Sequence, residues 1–420
     1  MKVLILGADG FIGRHLAFGL RAEGAEIIAS ARRVKALAEM GFDTIKADLT
    51  NPATHRAAFW RPHLQGTVHV INAAGLLSGS ESEFEAVHVA APSAVLAALD
   101  KGRMVHISAV GIDSTETPFA RWRRAAEAAL GSSEQVTILR PGLVLGDSSY
   151  GGSSLLRAFA ALPWLRPVVG SGEQPFNPIH ADDLARICAE CLRIPPGPGI
   201  WEIGGPETLS QSDLGALYRR WLGRPPARVL RLPTGLARSL GRIGEALRFG
   251  PISATAVAQL EAGVTANSTA LLERVKTRPR SVTAFVMARP AGTQDLWHAR
   301  LYLLKPLIRL LLAILWLGSA LAGILTPDSV VYALLPDVPQ GFALLMARAG
   351  GVIDLLIGIA LLGHWRPRFI AWAQLVIVLG YTIGLSALAP HLWLEPLGGL
   401  LKNLPILALL TVHLALLDER

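Results

Sequence analysis

The chain has 420 residues, two cysteines and a formal net charge of +8. That length allows two or three domains. Two cysteines exclude a disulfide framework and fit a reducing compartment. The basic residues form no aromatic-interleaved patch and no nucleic-acid motif, so a nucleic acid partner is not expected. From Arg300 onward only 14 of 121 residues are charged, and four long apolar runs succeed one another there. The first part therefore reads as soluble, and the second as belonging in a bilayer.

Lys2 to Leu6 reads as a short buried strand and Phe11 to Glu23 as an amphipathic helix, with Gly7, Gly10 and Gly13 at the turn between them. Such a turn needs backbone conformations closed to residues with a Cβ, and it leaves a pyrophosphate room against the amides at the helix start. The strand–turn–helix context is what makes this glycine triplet a dinucleotide signal. Phe11 and Ile12 open the helix beside the expected phosphates. Ala25 to Ser30, Val68 to Ala73, Met104 to Ser108 and Val136 to Leu139 read as further strands, with helical stretches between them. That alternation implies a Rossmann-type, doubly wound parallel sheet with the ligand at the carboxyl ends of its strands.

The residues at those ends refine the expectation. A NAD site carries Asp or Glu after the second strand, whereas this chain has Arg32 and Arg33. Two guanidiniums suit a 2′-phosphate, which favours NADP over NAD. Asp48, beside Leu49, is placed to accept from an adenine amino group. Ala73, Ala74 and Gly75 let backbone pass close to the cofactor. Cys188 and Cys191 lie three apart in a helical pattern and read as core packing, and no metal site is expected. Met1 to Leu6 is too short for a signal peptide and reads as the first strand.

These pieces together resemble the short-chain dehydrogenase/reductase superfamily in its extended and atypical branches. The matching segments are GADGFIG (7–13), ADL (47–49), NAAG (72–75), HISAVG (106–111) and RPGLVLGD (140–147), then FNPIHADDLA (176–185) and WEIGGPETLS (201–210). The likeness runs over about residues 1 to 290 and is nearest to NmrA-like regulators and the nucleotide-binding accessory subunit of respiratory complex I. It implies Pro141 as a further cofactor contact. It also implies a catalytic serine, at Ser108, and a Tyr-x-x-x-Lys pair on the next helix, whose places fall on Phe119 and Arg123. Phenylalanine cannot transfer a proton, and arginine keeps a charge without being a tunable amine. Tyr150, in a Gly/Ser-rich loop, reads as a surface residue. Two readings stay open: hydride transfer to an activated, quinone-like or isoprenoid-like acceptor, or a nucleotide held as a structural or sensing ligand, as in an assembly factor or redox sensor of a membrane complex.

Trp201 to Ser210 and the segments beyond it read as a small substrate-side lobe, with Ser210 near a helix N-cap before Leu214 to Trp221. Arg219, Arg220, Arg224 and Arg228 read as a solvated face. Lys276, Arg278 and Arg280 are placed to touch anionic lipid. The dinucleotide domain is thus expected over 1–290, a linker over 291–300 and an all-α four-helix transmembrane bundle over 301–420. Its spans are Leu301 to Leu325, Phe342 to Leu362, Phe369 to Leu388 and Gly398 to Leu417. LYLLKP (301–306), ILWLGSALAGI (314–324) and RAGGVIDLLIGIALL (348–362) resemble the DoxX-like family. Arg366 and Arg368 mark one loop as cytoplasmic, and the loops holding Asp328, Asp337 and Glu395 as external. That places the dinucleotide domain and both termini in the cytoplasm of a bacterium, at its inner membrane. Counting depth from the span ends pairs Arg309 with Asp354 inside the bundle, with Arg348 nearer the outer face.

Overall fold

The computed structural model describes residues 1–197, 199–247, 254–395 and 399–418. It divides into two compact units, one of residues 1–243 and 251–299, the other of 244–250 and 300–420.

The first unit is built on a seven-stranded sheet. Its strands are β1 (Lys2–Leu6), β2 (Glu26–Ala31), β3 (Asp43–Lys46), β4 (Val68–Asn72), β5 (Met104–Ile107), β6 (Val136–Pro141) and β7 (Ile200–Ile203). The spatial order is β7-β6-β5-β4-β1-β2-β3, and every neighbouring pair is parallel. In the central strand KVLIL every residue after Lys2 is apolar and buried, because both sheet faces are covered. Helix α1 (Phe11–Ala22) and the Ala181–Arg193 helix cover one face with Leu16, Leu20, Leu184 and Ile187. Trp60, Leu64, Val95 and Leu130 fill the other. Cys188 and Cys191 are both free thiols inside the first of these cores.

Two strands were not legible as such. Asp43–Lys46 is short, and only Ile45 in it is buried. Ile200–Ile203, expected in the smaller lobe, is instead an edge strand of the main sheet, with Ile200 opposite Ile138 and Ile203 opposite Pro141. Strand order reverses at β1, whose neighbours β2 and β4 lead to opposite halves of the sheet. That switch point opens the crevice where open α/β sheets hold ligands. Ser210 caps Gln211–Trp221 by accepting from the Asp213 amide at 3.0 Å, as the pattern indicated.

Among the described residues three helices are long and apolar enough to cross a membrane: Thr293–Leu325, Gln340–Leu362 and Pro367–Leu388. The first of them begins inside the stretch expected as a linker. The fourth expected span begins at Gly398, outside the described residues, and its helix is shorter, Asn403–Ala415. Pro405 lies in its first turn, where a missing amide costs nothing and a helix readily starts. At the other side of this unit Arg368, in the basic loop, pairs with Asp418, which follows the last helix.

The expected Arg309–Asp354 pair does not form. Asp354 is buried and accepts from Ser319 Oγ at 2.5 Å and from Tyr381 Oη at 3.2 Å. Arg309 instead meets His364 Nδ1 at 2.9 Å and the Leu247 carbonyl, while Arg348 pairs with Asp328 at 2.6 Å. The reason is register. A Cβ on Gly323 would come within 2.8 Å of the Ala347 carbonyl oxygen and 3.0 Å of the Gly351 Cα, and one on Gly358 within 2.7 Å of Leu317. Close backbone approach at small residues fixes how two membrane helices slide. It sets Asp354 level with Ser319, about ten residues from the alignment that matching the span ends gives.

Gly323→Val should therefore destabilise the second unit by about 1–3 kcal/mol through overpacking. Gly380→Val, where a new Cβ meets nothing within 4 Å, should not. Thermal unfolding of the detergent-solubilised chain distinguishes them, and equal melting temperatures would contradict the glycine-set register.

Candidate dinucleotide site

The glycine turn is set by backbone lying on backbone. Gly7 has φ +73°, and a Cβ there would come within 2.8 Å of the Ala74 Cα. A Cβ on Gly13 would lie 2.1 Å from the Gly7 carbonyl oxygen. Gly10 precedes α1 in an extended conformation and gives no side-chain cap. Phe11 and Ile12 come next, half-buried. The turn leaves space at the helix start for a group that brings its own acceptors, which fits a pyrophosphate.

Around this turn the structure brings together most residues singled out from sequence. The Ala8 amide donates to the Ser30 carbonyl at 3.0 Å, tying the turn to the end of β2. Arg32 and Arg33 come just after it and are exposed. The same fold-back carries Asp9 to Arg33, Oδ2 to Nε 3.6 Å, an acidic neighbour that sequence spacing did not reveal. Asp48 accepts from the Thr50 amide at 3.0 Å and its hydroxyl at 2.8 Å. Those bonds, with help from the charge of Arg32, hold its carboxyl below the usual range. Leu49 and Ala74 are buried, Ala73 is half-buried, and Gly75 is exposed at the end of β4. Pro141 ends β6.

Ser108 lies just past β5, is buried, and its hydroxyl has no hydrogen-bond partner among the described residues. Phe119 and Arg123 stand one turn apart on the Pro118–Leu130 helix, which Thr117 caps through the Ala120 amide. Spacing of four places both on one face. Phe119 packs with Phe84, Ile112 and Ala120. Arg123 is buried, donates to the Ile107 carbonyl, and lies 5.3 Å from the Phe119 ring centre. Its Nη2 would be 2.3 Å from a Cβ on Gly75, so glycine there makes room for the guanidinium. The nearby carboxylate, Glu127, is already held by Arg140 at 2.6 Å. Burial pulls the Arg123 pKa down to about 10, which still leaves it charged at neutral pH. Tyr150 is exposed, as its loop implied.

Three polar residues here were missed from sequence. His88 lies on a π-helical turn, Ala86–Ala90, a distortion that recurs at functional sites. Its Nε2 accepts from the Leu76 amide at 3.1 Å, and its Nδ1 is buried with no partner among the described residues. His106 Nδ1 lies 2.9 Å from Asn72 Nδ2, while Asn72 Oδ1 accepts from the Ala74 amide at 3.2 Å. Burial first, then the Arg123 charge, pushes both imidazoles down to about 3. HISAVG, ending the β5 region, was the available signal for His106. No periodicity marks His88. The carboxyl ends of β4 and β5 thus hold one buried cation, two neutral imidazoles and an unpartnered hydroxyl.

Comparison with known proteins agrees with this architecture. Residues 3–204 match the NAD dependent epimerase/dehydratase family, and residues 313–411 the DoxX-like family. The chain thus joins an N-terminal domain of the NAD-dependent epimerase and short-chain dehydrogenase type to a C-terminal DoxX-like domain. It is 26% identical over 261 residues to the mitochondrial NADH dehydrogenase (ubiquinone) 1 alpha subcomplex subunit 9 of Arabidopsis thaliana, covering 56% of this chain and 61% of that protein. It is 26% identical over 255 residues to the chloroplastic epimerase family protein SDR39U1 homolog of the same plant, over 54% of this chain and 72% of the relative. Among solved structures, UDP-glucuronic acid 4-epimerase from Bacillus cereus superposes with a TM-score of 0.50 at 16% identity, over 73% of this chain and all of that one. That likeness is one of fold.

The strongly depressed His88 and His106 imidazoles give the carboxyl ends of β4 and β5 a pH signature. Their ordinary value is 6.5. Below it the unfolded chain takes up protons that the folded chain refuses, so stability is present above pH 6.5 and is lost as pH falls toward 3. Each buried imidazole should remove ~2 kcal/mol by pH 5, before carboxylates begin to titrate. Hydrogen exchange of β5 amides, corrected for intrinsic rates, should show this loss between pH 6.5 and 5, and His106→Gln should reduce it. A profile unchanged over that interval would contradict the assignment.

Proposed function

We propose that this chain is a membrane-anchored NADPH-binding protein in which ordinary carbonyl reduction is stopped at the proton-donating step. The observation that carries the reading is the buried pair Phe119 and Arg123 on the sheet-facing side of their helix, beside a complete glycine cradle. Gly7, Gly10 and Gly13 would hold the pyrophosphate, with Phe11 and Ile12 at the start of α1. Asp48 and Leu49 would meet the adenine, and Ala73, Ala74, Gly75 and Pro141 the rest of the nucleotide. Arg32 and Arg33 would meet a 2′-phosphate. A bound nicotinamide supplies a hydride. What this chain withholds is the acid: Phe119 carries no proton, and the His88 and His106 imidazoles stay neutral. Arg123 contributes fixed positive charge below Gly75 and holds the Ile107 carbonyl.

Within this reading the nucleotide serves as a ligand whose occupancy is sensed, or stabilises an assembly in the membrane. The likeness to a complex I subunit and the membrane-capable helices support that form. A second form is kept by the Ser108 hydroxyl, which is buried without a partner and can donate to an acceptor oxygen. It is a reductase for a lipophilic, activated acceptor such as a quinone or an isoprenoid-like carbonyl, its proton drawn from water. The loop carrying Arg366 and Arg368, with Asp418 beside it, would face the cytoplasm of a bacterial inner membrane. NADPH is available on that side.

Equilibrium titration should show tighter binding of NADPH than NADH. Arg32→Ala with Arg33→Ala should weaken NADPH on the order of 10- to 100-fold and leave NADH unchanged, the size expected from losing charge-assisted bonds to a phosphate. Asp9→Asn, which releases Arg33, should strengthen NADPH alone. Equal affinity of the unmodified protein for both nucleotides would refute the preference.

Simple aldehydes and ketones should be reduced slowly or not at all, and Phe119→Tyr should leave NADPH affinity unaltered. Brisk reduction by the unmodified chain would contradict the missing acid. Loss of NADPH absorbance only on addition of a quinone identifies the reductase form. No loss with any acceptor identifies the non-catalytic one.

A further inference from the structure

Four buried polar atoms at the carboxyl ends of β4 and β5 are all hydrogen-bond donors, because their neighbours fix where the hydrogens sit. His88 Nε2 accepts from the Leu76 backbone amide at 3.1 Å. A ring nitrogen that accepts carries no hydrogen, so in the neutral imidazole the hydrogen is on Nδ1. His106 is fixed through Asn72. The Ala74 amide donates to Asn72 Oδ1 at 3.2 Å, which turns the amide nitrogen Nδ2 toward His106 Nδ1 at 2.9 Å. His106 Nδ1 therefore accepts, and its hydrogen is on Nε2. Arg123 commits Nη1 to the Ile107 carbonyl, which leaves Nε–H as a further donor. The Ser108 hydroxyl can donate as well.

His88 Nδ1, His106 Nε2, Arg123 Nε and Ser108 Oγ are buried with no hydrogen-bond partner among the described residues. The residues that carry them are 1%, 1%, 9% and 4% exposed. They also lie together. The Ser108 amide still bonds to the Leu139 carbonyl at 2.7 Å, so it continues β5, and its side chain leaves the same sheet face as that of His106. His88 Cε1 and Arg123 Cζ lie 3.5 Å and 3.2 Å from the position a Cβ would take on Gly75, so both border one point at the end of β4. Gly75 itself is exposed. The Arg123 charge acts on both imidazoles, and the carboxylate that faces Arg123, Glu127, is held by Arg140 at 2.6 Å.

We propose that His88, His106, Ser108 and Arg123 form an oxyanion subsite beside the nucleotide, which selects weakly acidic phenols and enols and holds them as their anions. Buried donors left unpaired are costly, so a cluster of them marks the place of an acceptor. A water would bring two hydrogens of its own, and of the four groups only the Ser108 oxygen can accept one. An oxyanion carries acceptors alone, and it gives Arg123 the counter-charge that Glu127 does not. The rest of such a ligand is carbon, and apolar side chains adjoin the cluster: Phe84 stacks on the His88 ring at 5.7 Å, and Phe119 meets its other neighbours edge-on at 6.4 Å. A hydroquinone is a phenol of this class. The inference rests on the reading of the crevice as a nucleotide site, and adds the kind of molecule that lies beside the nucleotide.

The test uses the full chain in detergent with 4-nitrophenol as the probe, because its anion and its neutral form absorb at different wavelengths. The bound probe should keep the anion's spectrum to about one pH unit below the point where the free probe loses it. 4-Nitroanisole, with the same ring and no ionisable oxygen, should bind on the order of tenfold more weakly. Ser108→Ala removes a hydroxyl that holds nothing in the fold, so it should leave the chain folded and weaken the 4-nitrophenol anion several-fold, with 4-nitroanisole unchanged. Arg123→Met should abolish the spectral shift. If that variant does not fold, Ser108→Ala and the ether comparison decide. A probe bound in its neutral form, or equal affinity for phenol and ether, overturns the proposal. NADPH affinity is measured on the same samples. A chain that binds NADPH and shows no preference for the anion refutes the subsite alone. One that holds the anion and binds no NADPH refutes the nucleotide reading and not the subsite.

Discussion

The first unit depends on one contact, the glycine turn resting directly on the end of β4. Gly7 touches Ala74 with no side chain between them, and Gly13 lets α1 close on the Gly7 carbonyl. Together these fix where α1 leaves the sheet, and hence where its uncapped amides point. They also fold the turn back against Ser30, which brings Arg33 and Asp9 within reach of each other. A larger residue at either glycine would displace backbone rather than a flexible side chain. The glycine-turn end of the crevice is therefore rigid by construction, while Arg32 and Arg33 just beyond it are exposed and can move.

A different balance governs the other end of the crevice. Arg123 is a buried cation whose hydrogen bond goes to a backbone carbonyl, and Gly75 leaves the space its guanidinium fills. Burying a charge without a carboxylate partner is unfavourable. The surroundings limit the cost by staying uncharged: both nearby histidines are neutral, and Glu127 is committed to Arg140. A protonated imidazole beside Arg123 would be expelled by repulsion and desolvation together. The same arrangement that tolerates the arginine thus removes the histidines as acids, and Phe119 supplies none in their place. Under the proposed function, the missing proton donor is a property of the whole cluster rather than of Phe119 alone.

How much of this was legible in the sequence depends on the range of the interactions involved. The glycine turn and the apolar runs of β1, β4 and β5 are set by local pattern, and the structure places that turn between β1 and α1 and those runs in the sheet. The edge strands were harder, because Asp43–Lys46 and Ile200–Ile203 are short and half exposed, so neither shows a sustained apolar period. Asp9 and His88 were out of reach for another reason. Their neighbours come from 24 and 35 residues away, through a fold-back at Ser30 and a π turn that no spacing rule describes. The basic residues show the same limit: the Asp183 that pairs with Arg280 lies 97 residues away, beyond any spacing rule.

In the second unit helix length was legible and helix register was not. Lining up span ends treats two helices as smooth rods, and on that basis Arg309 faces Asp354. The rods are not smooth, since Gly323, Gly351 and Gly358 form hollows that admit a neighbouring backbone or Leu317. Seating those hollows outweighs any electrostatic preference for alignment, because dispersion contacts are lost along the whole interface if it slips, whereas one ion pair can be replaced by hydroxyls. Ser319 and Tyr381 are those replacements, and they leave Arg309 to His364 and to the carbonyl of Leu247. In both units, then, small residues decide how closely backbones approach. The charged groups take whatever partners that approach puts within reach.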